Sequence, residues 1–235
     1  MVYITGDTHG DFAKFKYFYL YDGDLVIVLG DACINYYLDN RDKRLKESLK
    51  RINANFFLVR GNHEERPENI PTYHEVDMFG GKVYIEDEYP NLIFAKDGEI
   101  YNIDGKSILV IGGAYSVDKS YRILNQLQWF PSEQLDDMEM NDIFDKVKGK
   151  HFDIVLTHTC PYKFEPRETY IDGLDQSLVD KRTEMFLDNI EENITYDKWY
   201  CGHFHTEKKT GKIEFLYESI KSLNKEKTMV IKDKL

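Results

Sequence analysis

Val2-Tyr3-Ile4-Thr5-Gly6-Asp7-Thr8-His9-Gly10 is the stretch that decides the fold. A short apolar, β-branched run suits a buried strand better than a helix, and it stops at a polar turn flanked by glycine. The same grammar returns at Leu25–Leu29 before Gly30-Asp31, and at Phe56–Val59 before Gly61-Asn62-His63-Glu64. Between the second and third runs, Leu38, Leu45, Leu49 and Ile52 fall on one helical face. Asp39/Lys43, Asp42/Lys46 and Glu47/Arg51 add i,i+4 pairs in the favourable orientation. The expected unit is β-α-β, with a helix covering a parallel sheet.

Further along, residues 65–121 are rich in tyrosine and turns and lead into a hairpin. Its strands are Glu99–Ile103 and Lys106–Ile111, joined by Asp104-Gly105. Helical patterning follows Pro131-Ser132 and runs to about Lys148. Asp153–Thr157, Lys198–Cys201 and Lys212–Tyr217 are expected strands. Ser177 with Asp180 resembles a capping box for a helix carrying Leu178, Met185, Phe186 and Ile190. The lysine-rich C-terminal residues are expected to be a solvated end.

The 235 residues, 42% hydrophobic and 14% aromatic, suffice for a sizeable core and argue against disorder. A net charge of −11 argues against nonspecific binding to duplex DNA or anionic membranes, although a local metal site can still attract a phosphate. No apolar run approaches the ~20 residues that span a bilayer. No basic segment with a following apolar stretch marks a secretory signal. Asn193-Ile194-Thr195 is therefore a chance glycosylation match. Cys33, Cys160 and Cys201, odd in number and widely spaced, suit reduced thiols acting as small buried hydrophobes. A globular cytoplasmic protein with no membrane partner is expected.

The histidines carry the function. Five of the seven lie in Gly6-Asp7-Thr8-His9-Gly10, Gly61-Asn62-His63-Glu64, Thr157-His158 and Gly202-His203-Phe204-His205, and Gly30-Asp31 adds a carboxylate. Every segment follows an expected strand, where α/β sheets collect their ligands. Each alone has a bland reading: Asp7 and His9 as turn residues, Asn62-His63 as a loop, His203 and His205 as a strand pair. Chance would scatter them, and their joint placement points to a site. Asp and Asn oxygens mixed with imidazoles suit borderline divalent ions such as Mn, Fe or Zn. His203 and His205, two apart, share one side of an extended chain. Seven candidate ligands are too many for one ion; with one shared carboxylate they make two four-ligand sets.

The ordered set GDTHG, GD, GNHE, TH and GHFH, from Gly6 to His205, resembles the calcineurin-like metallophosphoesterases. The resemblance implies one α/β domain over residues 1–235, a four-layer α/β/β/α sandwich of two mixed sheets face to face between helices. It also implies a dinuclear metal centre at the strand ends. Asp7, His9, Asp31 and His205 would hold one ion. Asp31 would bridge to the second, which also takes Asn62, His158 and His203. His63 would be the catalytic imidazole and general acid.

The implied activity is metal-dependent hydrolysis of a phosphomonoester or phosphodiester, on a small phosphorylated substrate, with Mn the first choice of metal and Fe or Zn the alternatives. The phosphoprotein phosphatases of this family resemble GD-x-V-D-R-G in the second segment, where this chain reads Gly30-Asp31-Ala32-Cys33-Ile34-Asn35 without the arginine. That departure places serine/threonine phosphatase behind a generic small phosphoesterase, and the negative charge does the same for a nucleic-acid diesterase. A non-catalytic binding scaffold would show eroded ligands, and all seven are present. Arg66, His74, Tyr115, Arg122 and Trp129 are conceivable substrate contacts, each with a surface or core role also open, so no substrate-binding residue is assigned.

Overall fold

The computed structural model describes residues 1–16, 18–223 and 228–229. In chain order the elements are β1 (Val2–Thr5), β2 (Leu25–Val28), α1 (Asn40–Lys50), β3 (Asn55–Leu58), β4 (Tyr73–Met78), β5 (Gly81–Glu86) and β6 (Leu92–Ala95). Then come β7 (Ile100–Ile103), β8 (Lys106–Ile111), α2 (Lys119–Leu124), α3 (Asp137–Val147) and β9 (His151–Thr157). The last are α4 (Arg182–Asn193), β10 (Thr195–Cys201), β11 (Lys208–Thr210), β12 (Ile213–Phe215), β13 (Ile220–Ser222) and β14 (Thr228–Met229).

They form two mixed sheets, ordered β14-β13-β1-β2-β3-β6-β5-β4 and β11-β12-β10-β9-β8-β7. In the first, β1, β2, β3 and β6 are parallel; in the second, β8, β9, β10 and β12 are. Alternation along the strands sorts the side chains into layers. Ile4, Ile27 and Phe57 meet Ile108, Val110 and Leu156 between the sheets. Tyr3, Val26, Val28, Phe56 and Leu58 face outward with Leu49 of α1. Leu109, Ile111 and Val155 of the second sheet pack with Ile143 of α3 and with Phe186, Leu187 and Ile190 of α4. Strands buried on both faces explain why their sequences are continuous apolar runs. The result is a four-layer α/β/β/α sandwich.

Local chemistry corrects several expectations. Leu38 does not join the α1 face: it precedes the helix with φ +57° and is exposed. Asp39 caps the helix by accepting from the Arg41 N–H, and Asp42 accepts from the Tyr37 and Leu38 N–H groups. Lys46 reaches across to Glu86 at 2.5 Å, where both are buried, a stronger partner than an exposed i,i+4 acid. The capping box at Ser177/Asp180 is absent. The Ser177 hydroxyl donates to Asp175, two residues back, in a separate 3-10 turn, and α4 begins only at Arg182. Leu178 and Met185 are accordingly exposed. A real capping box sits at Asp136 and Glu139, so the helix after Pro131 starts at Asp137.

The expected hairpin turn forms, with positive φ at both Asp104 and Gly105. The tyrosine-rich middle supplies β4, β5 and β6 of the first sheet. The C-terminal segment is not simply a solvated end. Ile220–Ser222 pairs antiparallel with β1 and Thr228–Met229 with β13, and the remaining lysine-rich residues lie outside the described ones. Cys160 and Cys201 are buried thiols as expected, whereas Cys33 is half-buried.

Candidate metal centre

The carboxyl ends of β1, β2 and β3 and those of β9 and β10 lie at one rim, so five short loops meet there. Asp7 and His9 follow β1, Asp31 follows β2, Asn62 and His63 follow β3, His158 follows β9, and His203 and His205 follow β10. Turning side chains back toward one point strains the backbone. His9, Asp31, His203 and His205 all have left-handed φ, between +47° and +63°. Such conformations cost on the order of 1–3 kcal/mol each and collect at functional sites. Two glycines make the approach possible: a Cβ on Gly61 would collide with the Asp31 carboxylate, and one on Gly202 with that of Asp7.

The left-handed turn also corrects the reading of His203 and His205 as one side of an extended chain. His203 is packed on His158, ring centroids 5.0 Å apart, while His205 faces His9 at 4.8 Å and stacks on Tyr217 at 4.6 Å. The two imidazoles serve different halves of the cluster by this route.

Asp7 and Asp31 are both buried. Asp7 Oδ1 accepts from the His203 N–H at 2.9 Å, whereas Oδ2, 3.3 Å from His205 Nε2 and 3.7 Å from His9 Nε2, has no hydrogen-bond partner. Asp31 Oδ1 accepts from the His63 N–H at 2.9 Å; its Oδ2 lies 3.7 Å from His158, 3.9 Å from His63 and 4.0 Å from His9. Asp31 thus stands between the two histidine sets. Potential ligand atoms converge in two groups, Asp7/His9/His205 and Asp7/Asp31/His158, so Asp7 too touches both. Burial pushes both carboxyls up, but His158 and the other imidazoles, with the backbone N–H donors, overcome it and hold each below the usual range. Both are therefore anionic.

The imidazoles and the amide fit a cation. His158 Nδ1–H donates to the Leu29 carbonyl at 2.7 Å, so Nε2 is an acceptor whenever the ring is neutral and a donor when it is charged. Asn62 donates Nδ2–H to Ser116 Oγ at 2.9 Å, which leaves Oδ1 as an acceptor. Yet His158 Nε2 and Asn62 Oδ1 lie 2.8 Å apart, and His9 Nε2 lies 2.8 Å from His205 Nε2. Each of these close pairs is held by a ring proton, from a tautomer or an imidazolium, or else by a metal ion in its place. With the unpartnered Asp7 Oδ2, this donor set suits divalent ions, His158 and Asn62 being oriented from behind as metal ligands are. Burial drives His203 down to about 3, keeping it neutral as a ligand must be. The Asp7 contact raises His205.

His63 sits over the cluster with its ring 5.9 Å from that of His9. Burial lowers its pKa, Asp31 opposes this, and Arg122 adds to the lowering. Arg122 Nη2 is 3.5 Å from His63 Nε2; its fork is held by Asp118 and by the Tyr36 hydroxyl, each at 2.8 Å. Buried Glu64, raised to about 8 by burial and by Asp31, accepts from the Gly61 N–H and so braces the loop.

Clefts open on both sides of His63. One, about 420 Å³, fronts Asp31, Asn62, His63, His203 and His205. The other, about 400 Å³, runs past His9 to Tyr36, Tyr37, Arg41 and Arg122. Of the conceivable substrate contacts, Tyr115 lines the first and Arg122 the second. Arg66 is a buried clamp on Glu139 and the Ser132 and Gln134 carbonyls, His74 lies beside Asp87, and Trp129 lies under Lys119. Sequence reasoning passed over Ser116. Its segment, Gly112-Gly113-Ala114-Tyr115-Ser116, also follows a parallel strand and is glycine-rich, a signal hidden by its lack of histidine and carboxylate.

The sequence model of the calcineurin-like phosphoesterases matches residues 1–207 of the 235. No curated protein matches the chain. Members of the matching family are metal-dependent phosphoesterases with dinuclear centres. Among the described residues, no helix is long and apolar enough to cross a membrane.

Proposed function

The chain belongs to the calcineurin-like phosphoesterase family, and from that premise we propose that it hydrolyses small phosphoesters with His63 as general acid and two divalent ions, Mn first. Asp7, His9, Asp31 and His205 would hold one ion; Asn62, His158 and His203, with Asp31 shared, the other. The observation that carries this reading is the convergence of His158 Nε2 and Asn62 Oδ1, 2.8 Å apart, beside two buried anionic carboxylates. Bound there, the ions supply a water of lowered pKa and neutralise charge on the phosphoryl oxygens.

The protein's own groups do the rest. Asp31 holds the His63 backbone through its N–H, which fixes the ring at the mouth of the cluster. Once protonated, His63 at this position would give its proton to the departing oxygen, its lowered pKa making it a stronger acid with a smaller protonated share near neutrality. The Arg122 guanidinium, held through Nε by Asp118 and through Nη1 by Tyr36 and the Gln128 carbonyl, leaves Nη2 to donate to a phosphoryl group beside it. It stands in for the arginine missing after Gly30-Asp31. The free thiols Cys33, Cys160 and Cys201 support a reducing compartment, the cytoplasm.

The second cleft favours a diester as the other reading, since it leaves room for a substituent on each side of the phosphorus. Phosphomonoesters and phosphodiesters assayed in parallel with Mn, Fe, Zn and Mg test both readings. EDTA-sensitive turnover is expected; no turnover with any metal would reject the assignment, and much faster cleavage of bis(p-nitrophenyl) phosphate than of the monoester would select the diester.

A further inference from the structure

The cleft of about 420 Å³ fronting the ligand cluster has a composition that phosphate chemistry does not explain. Its apolar and aromatic walls, Tyr115, Tyr170, Ile171, Leu174, Val179 and Phe204, come from the turn after β8, the connection before α4 and the loop after β10, with Asp118, Thr169 and Gln176 set among them. Its size falls in the range of about 300–1,000 Å³ of small-molecule pockets. Lys181 also lines it but is neutralised by Glu165 at 2.7 Å, so it offers little to a second phosphate. Bare phosphate or a polyol would bury polar groups against these walls without partners. A flat ring would not.

Among the polar side chains of the lining, which include Asp118, Thr169, Gln176 and Lys181, Glu184 is the one with a buried, unpartnered oxygen. Glu184, in the first turn of α4, is only 3% exposed. Its Oε1 accepts from Thr159 Oγ1 at 2.8 Å, while Oε2 has no hydrogen-bond partner. A buried acceptor left unpaired costs about 1–3 kcal/mol, which a ligand presenting a donor recovers. An aliphatic wall asks for an apolar body, and Glu184 asks for an N–H or O–H on that body. The phenyl ring of a phosphotyrosine brings no donor once its oxygen is esterified. A nucleobase brings both the ring and the ring-edge N–H groups.

We propose, resting on the phosphoester reading above, that this cleft is the subsite for the organic substituent of the substrate, that the substituent is a nucleobase, and that Glu184 is the residue that reads it. Burial raises the Glu184 pKa to about 7, so near neutrality its carboxyl can both accept and donate. Glu184→Gln inverts this: the amide oxygen takes the Thr159 hydroxyl, and its NH2 then faces the cleft as a donor only.

The test uses the full chain in EDTA, so that binding is read apart from hydrolysis. Titration calorimetry with adenosine, guanosine, cytidine, uridine, ribose and tyrosine compares the wild type with Glu184→Gln and with Leu174→Trp, which fills the cleft. At least one nucleoside is expected to bind about tenfold tighter than ribose or tyrosine, about 1.4 kcal/mol. Glu184→Gln should weaken it at least about fivefold, and Leu174→Trp should abolish it. If Glu184→Gln fails to fold, Leu174→Trp carries the location and the nucleoside panel carries the chemistry. Nucleosides binding no tighter than ribose or tyrosine, or binding unchanged in the folded variants, would overturn the proposal. Tighter tyrosine would overturn it in favour of an aryl ester. Nucleoside binding without any metal-restored ester cleavage would sink the hydrolase reading alone, and cleavage without nucleoside binding would sink the subsite alone.

Discussion

The rim loops and the walls of the main cleft are built by opposite means. The loops after β1, β2, β3, β9 and β10 are short and end strands buried in the sandwich, and four of their side chains sit on left-handed backbone. The walls come from the long connections 112–118 and 169–181, whose exposed Ile171 and Leu178 have no such anchoring. The loops hold charge convergent against its own repulsion, which takes a rigid scaffold. The walls exclude water and shape a space, which many residues can do. Chemistry should therefore fail when a loop changes, and selectivity when a wall does.

The hardest blow to that contrast is Asp31→Asn. Its carboxylate faces His9, His63 and His158 together, so the variant should lose metal from both positions and at least about a thousandfold in turnover. Two tightly held ions with normal turnover would end the bridging role. His63→Ala comes next. General-acid help scales with the leaving group's need for a proton, so an alkyl phosphoester should lose about 10²–10³-fold and a nitrophenyl ester far less, with metal content retained. Equal losses on both would remove the general-acid role.

Arg122→Ala should cost about ten- to a hundredfold in kcat/KM, and Arg122→Lys should not restore it, because Asp118 on Nε and Tyr36 on Nη1 fix a planar guanidinium whose Nη2 position an ammonium cannot reproduce. Full rescue by lysine would make Arg122 a simple point charge. The smallest effect concerns stability. Glu184 is raised by burial to about 7 in the folded protein from an ordinary 4.5. The folded state therefore binds this proton more tightly than the unfolded one. The stability it contributes is whole below about pH 4.5 and is lost as pH rises through about 7. Melting curves of metal-free protein should fall over that window, and less steeply in Glu184→Gln. Parallel curves would show that Glu184 is not buried as described.

The same contrast explains what was legible in the sequence. Val2–Thr5, Leu25–Val28 and Asn55–Leu58 are buried on both faces, so an apolar run and a glycine turn were enough to find them, and the histidines behind them marked the rim. The antiparallel hairpin of β4 and β5 was not found, since its half-exposed residues alternate irregularly and its Phe79-Gly80 turn is not one of the Asn-Gly or Asp-Gly pairs that mark a hairpin. Ser177 misled because Asp175 satisfies its hydroxyl locally, a competition between turn and cap that spacing cannot decide. Arg122, Ser116 and Glu184 reach the site from segments with no metal-ligand signature. Their roles come from packing across the two sheets, which local pattern does not encode.

The account rests on five loops forming one dinuclear centre, and metal stoichiometry tests that most directly. Protein stripped with EDTA is titrated with Mn while bound metal, melting temperature and phosphoester hydrolysis are followed together. The account predicts two ions per chain, hydrolysis that appears only as both positions fill, and a melting temperature that climbs because the ions bind the folded state alone. One ion or none at saturation, or hydrolysis that persists in EDTA, would contradict it.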